Sequence, residues 1–468
     1  MNKLIKKSFK SIIYVSLAQL ISFLLGIAKT LILPLVLGMV NFGYWQVYLL
    51  YVSYATVLTF GFNDGVYLRY GKYDYEKLPK GTLNSNLLIF FLAQIFITLF
   101  LIFVTQFEID ANKRVALLWA CLNIPLAGIT GFFIYLLQTT NQFKKYSMFI
   151  IIDKIILLSV IMFIYVNKID EFMIIVIGDI IAKIITVLFL SVSFLDLLKQ
   201  RLVITRRTVK VFLMNIKVGS KLLFANFSGM LILGYGRILV ERSQSIEKYS
   251  VFALANSSMN LIMIFITAIG LVVYPTFTRI KSSKYAGYYL HLNDLVISLS
   301  QILLILYFPL NKIITSLLPN YTGIFEYLPV MFIIIFIQAI TQIVINPYYK
   351  LLRCEKDMLK ANVIGLLSTL LIVSVLYFIF QSILLLIAGT ALGMLIRLHY
   401  SGNFFNRKMK LGKSPRFIFS LAILVIFCLI AYFFNPTCGF IIYLFISGLR
   451  IYLKRSDFRL YAKLLIGK

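Results

Sequence analysis

The chain of 468 residues is 61% apolar and 15% aromatic, and only 13% of it is charged, against roughly a quarter in an average soluble protein. The deficit runs along the whole length, which excludes a globular domain carried on a single anchor. A formal charge of +29 would suit a nucleic-acid binder, but the basic residues punctuate the gaps between apolar runs, as topology determinants do, so no nucleic-acid partner is expected.

Uninterrupted apolar runs of this kind read as membrane helices, since about 20 residues at 1.5 Å each cross roughly 30 Å of hydrocarbon. The runs lack the apolar–polar alternation of a barrel, so an all-α fold of about fourteen transmembrane helices is expected. Lys3, Lys6, Lys7 and Lys10 precede the first run. It is too long for a signal peptide and lacks an A-x-A site, which predicts an uncleaved span over 11–37. Spans follow at 42–62, 84–106, 115–138, 147–166 and 171–195, closing a first group of six. A second group is predicted at 213–236, 248–276, 289–309, 326–347, 361–379 and 382–399. Two more, 416–434 and 437–453, precede a basic tail. The tight connections at Gln381 and at Asn435-Pro436-Thr437 would also suit re-entrant hairpins.

Charge tests this map. With the N-terminus inside, lysine and arginine in cytoplasmic segments outnumber those in outer loops by about five to one, alternating at every loop. Both termini are therefore expected in the cytoplasm. A shift of 205 residues aligns Tyr44 with Tyr249, Leu49 with Leu254, Ser53 with Ser258, Phe60 with Phe265 and Gly65 with Gly270. The stretch Tyr135-Leu136-Leu137 followed by Lys144-Lys145 likewise resembles Tyr349 to Leu352 followed by Lys356 and Lys360. Six helices per repeat is an even number, so two parallel six-helix bundles are expected, with the last two helices an appendage. The corresponding divisions are 1–205, 206–405 and 406–468.

Two such bundles describe a transporter. There is no P-loop, no H-E-x-x-H and no G-x-S-x-G, and no hydrophilic stretch is long enough for a nucleotide-binding domain. Cys121, Cys354, Cys428 and Cys438 are scattered, and His291 and His399 stand alone, so no metal or disulfide framework and no cofactor is expected.

Phe42-Gly43-Tyr44, leading to Gly61-Phe62-Asn63-Asp64-Gly65 and Arg69-Tyr70, resembles the second span of bacterial polysaccharide flippases. These belong to the multidrug/oligosaccharidyl-lipid/polysaccharide exporter superfamily. Lys248-Tyr249-Ser250 leading to Tyr274-Pro275, and the polar turn from Gln138 to Tyr146, add to the likeness. The resemblance implies a lipid-linked oligosaccharide substrate on undecaprenyl diphosphate, flipped outward across the inner membrane by alternating access for O-antigen or capsule synthesis. It also implies association with other polysaccharide-assembly membrane proteins and contact with membrane lipid.

An ionisable group at mid-bilayer costs at least about 2.5–3.5 kcal/mol on insertion scales and is a functional candidate for that reason. Lys29 in span 1 and Arg237 in span 7 occupy corresponding places, Lys29 lying 15 residues before Tyr44 and Arg237 12 before Tyr249. The difference is about one turn, so both are expected to face a cationic cavity that attracts a diphosphate. Relatives often carry an acid just before this arginine; Gly236 stands there. Asp179 and Lys183 share a face of span 6, roughly 12 and 18 Å deep. Lys183 joins the substrate-binding candidates, while Asp179 suits either a self-neutralising structural pair or proton or sodium coupling. Asp64 suits a coupling carboxylate or a plain interfacial residue. Asp153 and Lys154 point about 100° apart and are not expected to pair. Lys221 and Arg397 are expected to snorkel from cytoplasmic ends. Trp45 and Trp119 are expected in an interfacial belt, and Pro34, Pro125, Pro329 and Pro347 at kinks.

Two rival readings remain. A multidrug exporter of the same superfamily would favour an acidic, aromatic-lined cavity; the membrane charges here are six basic (Lys29, Lys154, Lys183, Lys221, Arg237, Arg397) against three acidic (Asp64, Asp153, Asp179), which favours an anionic cargo. A membrane glycosyltransferase or polysaccharide polymerase would need a longer outer loop than any present.

Overall fold

The structure, a computed structural model, describes residues 17, 19–71, 73–277, 285–411 and 416–453. The basic start of the chain, the loop near 279–284 and the basic tail, on which the charge map partly rests, lie outside the described residues. Among these residues there are helices and no strands. Eleven helices are long and apolar enough to cross a membrane, and two shorter apolar helices follow.

In chain order the helices are α1 Gln19–Thr59, α2 Phe62–Tyr70, α3 Lys80–Thr105, α4 Ala111–Thr139, α5 Phe143–Asn167, α6 Phe172–Ser193 and the single turn α7 Leu195–Leu198. Then come α8 Arg206–Ser243, α9 Ile246–Phe277, α10 Tyr285–Leu317, α11 Leu328–Leu351, α12 Glu355–Phe380, α13 Ile383–Lys408, α14 Arg416–Phe433 and α15 Pro436–Leu453. The first predicted boundary, between spans 1 and 2, appears within α1 as a break at Gly38, whose φ of 65° only glycine adopts without strain. Departures from α geometry lie at Gly38 and in two π-helical turns, Ala28–Ile32 and Thr341–Ile345. Two of the four prolines expected at kinks, Pro34 and Pro347, each follow a π-helical turn by two residues, because a proline cannot bond to the carbonyl four residues back.

Contacts divide the chain into two compact units, Met1–Phe227 with Gln244–Ser250, and Ser228–Ser243 with Val251–Lys468. The first unit is inside-out by the standards of a soluble protein. Helix α3 turns Phe96, Leu99, Phe100 and Phe103 outward, at i, i+3, i+4 and i+7, and buries Asn84, Ser85, Asn86, Gln94 and Thr98. An apolar outer stripe is what lipid solvates, and the buried polar groups are partly satisfied inside: Gln94 donates to Leu58 O at 2.8 Å, and Asn63 to Gly128 O at 3.0 Å. Phe62 stacks on Phe90 at 4.6 Å and Phe132 at 6.0 Å, forming an aromatic core between α2, α3 and α4.

Helix α2 meets α8 backbone to backbone. A Cβ on Gly65 would lie 1.9 Å from the Asn215 carbonyl oxygen, and one on Gly219 would lie 1.9 Å from that of Gly61. Without van der Waals room for a methyl group, only glycine permits this crossing.

The segment after α6 is tied to the start of α3. Lys80 Nζ lies 2.6 Å from Asp196, Tyr75 donates to the same carboxylate at 2.7 Å, and Asn84 donates to Leu198 O and Gln200 O. Burial alone would push the Asp196 carboxyl up, but the hydrogen bonds from Lys80 and Tyr75 outweigh it and hold it below the usual carboxylate range. A depressed folded value means the contribution is complete above the unfolded value and is lost as pH falls through the folded one. Measured against the intrinsic rate, which itself falls on acidification, the protection of the amides over 198–203 should therefore drop about two- to five-fold in that window, the scale of a half-exposed ion pair. Asp196→Asn should remove the acid dependence; an unchanged pH profile in that variant would refute the assignment.

In the second unit α14 and α15 pack on α10 and α11 through a cluster of aromatic rings. Tyr307 meets Phe332 at 5.7 Å, Phe427 meets Tyr443 at 5.4 Å, and Tyr443 donates to Gln301 O at 2.8 Å. Helices α12 and α13 close on each other over Gly365, Gly389 and Gly393, where side chains of the opposite helix fill the space a Cβ would need.

Candidate functional site

Four helices of the first unit bring ionisable groups together. The π-helical turn of α1 carries Lys29; beyond the Gly38 break the same helix supplies Trp45 and Tyr48. Helix α4 contributes Asn123, two residues before Pro125; α5 contributes Asp153 and Lys154; α6 contributes Asp179 and Lys183.

Asp179 is the centre. Lys183, one turn on, places Nζ 2.5 Å from Asp179 Oδ2, and the Tyr48 hydroxyl donates to the same oxygen at 2.6 Å. Asn123 in turn donates to the Tyr48 hydroxyl oxygen at 2.8 Å. The two bonds to the carboxylate are charge-assisted, which makes each roughly twice as strong as a neutral one. Lys29 lies over the Trp45 ring at 5.6 Å, and Lys183 over the Tyr48 ring at 6.0 Å. Among charged neighbours Asp179 acts most strongly on Lys29, followed by Lys154, Lys183 and Asp153. Three lysines against two aspartates leave the cluster with one positive charge in excess, next to aromatic faces that favour cations.

Several expectations change here. Asp153 and Lys154 do pair, at 3.0 Å, because the lysine stem is long enough to curl around the helix to its neighbour. Trp45 belongs to no interfacial belt: it is fully buried beneath Lys29. Asp64 is buried too. It stands on α2, apart from the hydrogen-bonded network around Asp179. Arg237 belongs to the second unit, on α8, where its Nε finds no acceptor among the described residues. Its neighbours are fixed by Tyr235, bonded to Ser374 at 2.7 Å, and by Gly236 against Leu386. Arg397 does not snorkel; only 7% of it is exposed.

The sequence reading passed over Tyr48 and Asn123, whose signal was a polar group amid an apolar run. It also missed two buried acids, Glu241, one turn after Arg237, and Asp294 on α10. The acid count inside the helices is accordingly higher than the sequence suggested.

The fold is that of a multi-pass helical membrane protein, and solved flippases and exporters share it. The solved "Lipid II flippase MurJ, inward closed conformation" superposes with a TM-score of 0.72 at 16% identity, covering 96% of this chain and 99% of that one. A multidrug resistance transporter of the MATE family, solved in an inward-facing conformation, gives 0.57 at 12% identity, over 86% and 96%. A superfamily transporter from Pyrococcus furiosus, whose binding pocket is described as having reverse polarity, gives 0.54 at 12%, over 86% and 97%. At these identities the likeness concerns the fold. The family model described as "Polysaccharide biosynthesis protein" matches residues 8–281, more than half of the chain, and the chain belongs to that family. No curated protein sequence matches it.

Proposed function

We propose that the chain is a flippase that moves undecaprenyl-diphosphate-linked saccharide units from the inner to the outer leaflet, for O-antigen or capsule synthesis. The observation that carries this reading is the shared carboxylate of Asp179. Lys183 grips it directly and Lys29 lies in its field, so the cluster retains a net positive charge inside an apolar helix bundle. Membership of a polysaccharide biosynthesis family supports a saccharide-bearing cargo. The cycle is alternating access between two six-helix bundles, over 1–205 and 206–405, with 406–468 adding two helices. In this reading the chain crosses the inner membrane fourteen times with both termini in the cytoplasm, beside other polysaccharide-assembly proteins. Lys29, Lys183 and Arg237 bind the diphosphate; Asp179 or Asp64 couples transport to protons or sodium.

The test is leaflet-resolved detection of the lipid-linked saccharide in a strain lacking the gene. Wild type should restore outward appearance, while Lys29→Gln and Lys183→Gln at equal abundance should slow it by about tenfold or more. That is the scale of one lost charge-assisted hydrogen bond. Normal outward appearance without the gene, where no second flippase exists, would refute the reading.

A multidrug exporter is the second reading, and the same cluster motivates it: a buried aspartate ringed by Trp45 and Tyr48 could hold a cationic drug. Increased drug sensitivity on deletion, with normal saccharide flipping, would favour it.

A further inference from the structure

Arg397 is a poorly compensated buried charge of the second unit. Its stem lies across Gly365 of α12, where a Cβ would come within 2.8 Å of Arg397 Cβ, so a glycine makes room for it. Nη2 donates to Asn346 Oδ1 at a long 3.3 Å, and among the described residues Nε has no acceptor. Among the described residues no carboxylate pairs with it, and Tyr349 is the only other titratable group that acts on it. Asn346 directly follows the π-helical turn Thr341–Ile345 and donates to Gln342 Oε1 at 3.2 Å, so its amide is already committed. A buried guanidinium facing one neutral amide costs several kcal/mol unless an anion completes it.

The same helix supplies an approach. One turn beyond Arg397 begins a pocket of about 440 Å³ lined by Tyr400, Asn403, Phe404, Arg407 and Lys408. Arg397, Tyr400, Phe404 and Arg407 fall at i, i+3, i+7 and i+10, on one face of α13. Tyr349 stacks on Phe404 at 5.3 Å and donates to Ser401 at 3.2 Å, which stiffens the wall. The lining holds two cations, two aromatic rings and an amide, and no acid.

We propose that this end of the second unit binds a phosphate-bearing headgroup, with Arg407 and Lys408 drawing it in and Arg397 binding the phosphate. Arginine suits the task because its planar fork meets two phosphate oxygens at once. The phosphate can come from a bilayer phospholipid or from a lipid-linked diphosphate. The second source rests on the flippase reading; the first does not.

Native mass spectrometry of the full chain, titrated separately with phosphatidylglycerol and undecaprenyl diphosphate, distinguishes the sources. Arg397→Gln should reduce binding of one or both at least about tenfold, the loss of one charge-assisted contact, and Arg397→Lys should restore part of it. Selective loss of undecaprenyl diphosphate identifies the cargo, and equal loss of both identifies a general headgroup site. Arg397-dependent binding of phosphatidylglycerol, with no binding of undecaprenyl diphosphate even by wild type, keeps the site and defeats the flippase reading. Undiminished binding of both lipids by a folded Arg397→Gln, even with a lowered unfolding temperature, would overturn the proposal and leave Arg397 a packing residue. Where Arg397→Gln does not fold, the Arg407→Gln/Lys408→Gln double variant takes its place at the pocket rim, and unchanged binding there overturns the proposal equally.

Discussion

Asp179→Ala is expected to destabilise the protein by about 3–5 kcal/mol, the cost of leaving a buried charge without its partner. The removed carboxylate serves three groups at once: Lys183 at 2.5 Å, the Tyr48 hydroxyl at 2.6 Å, and Lys29 through its field. At about 2.1 cal/mol/K of unfolding entropy per residue, the loss corresponds for 468 residues to a fall of about 3–5 °C in unfolding temperature, measured on purified protein in detergent. Asp179→Asn keeps a hydrogen-bond acceptor for Tyr48 but not the charge, and should cost less. The double variant Asp179→Ala/Lys183→Met should recover part of the loss, because it removes the stranded cation together with its partner. A single alanine variant that melts within a degree of wild type would mean that water or lipid reaches the lysines, and the cluster would no longer count as a buried network.

Gly65→Ala or Gly219→Ala should lose most of the folded protein. At each position the obstacle is a backbone carbonyl at 1.9 Å, from Asn215 and Gly61 respectively, so no side-chain rotation relieves it. Ordinary overpacking costs about 1–3 kcal/mol where neighbours can shift; here α2 and α8 must separate instead. Gly81→Ala and Gly229→Ala are the controls, because nothing lies within 4 Å of the added methyl group. The readout is the yield of monodisperse protein and its unfolding temperature. Monodisperse Gly65→Ala and Gly219→Ala with wild-type melting would show that the helices do not cross this closely.

Gly65 also shows what the repeat pattern was reporting. A Cβ on its aligned partner Gly270 would lie 2.8 Å from the Gln342 carbonyl oxygen inside its own unit. A glycine recurring at a fixed interval is visible in the sequence; the carbonyl that requires it is not.

The helical, membrane-spanning character was legible because it depends on local composition. An apolar run of sufficient length must satisfy its backbone internally, whatever lies beside it. The pairing of Asp179 with Lys183 was legible for the same reason, since four residues on a helix make one turn. Positions set by other helices were not. Lipid and protein interior are equally apolar, so the sequence carries little amphipathic contrast to say which face of α1 meets α6. Trp45 looked like an interfacial ring and Arg397 like a snorkelling end because each was judged by its distance from a helix terminus. Packing decided otherwise: Trp45 lies under Lys29, and Arg397 lies over Gly365. The sequence by itself determined the helices, their solvent and the stock of charges within them. Only the tertiary structure determined which charges meet, because in a medium without a hydrophobic drive between helices, close packing and polar pairing alone choose the neighbours.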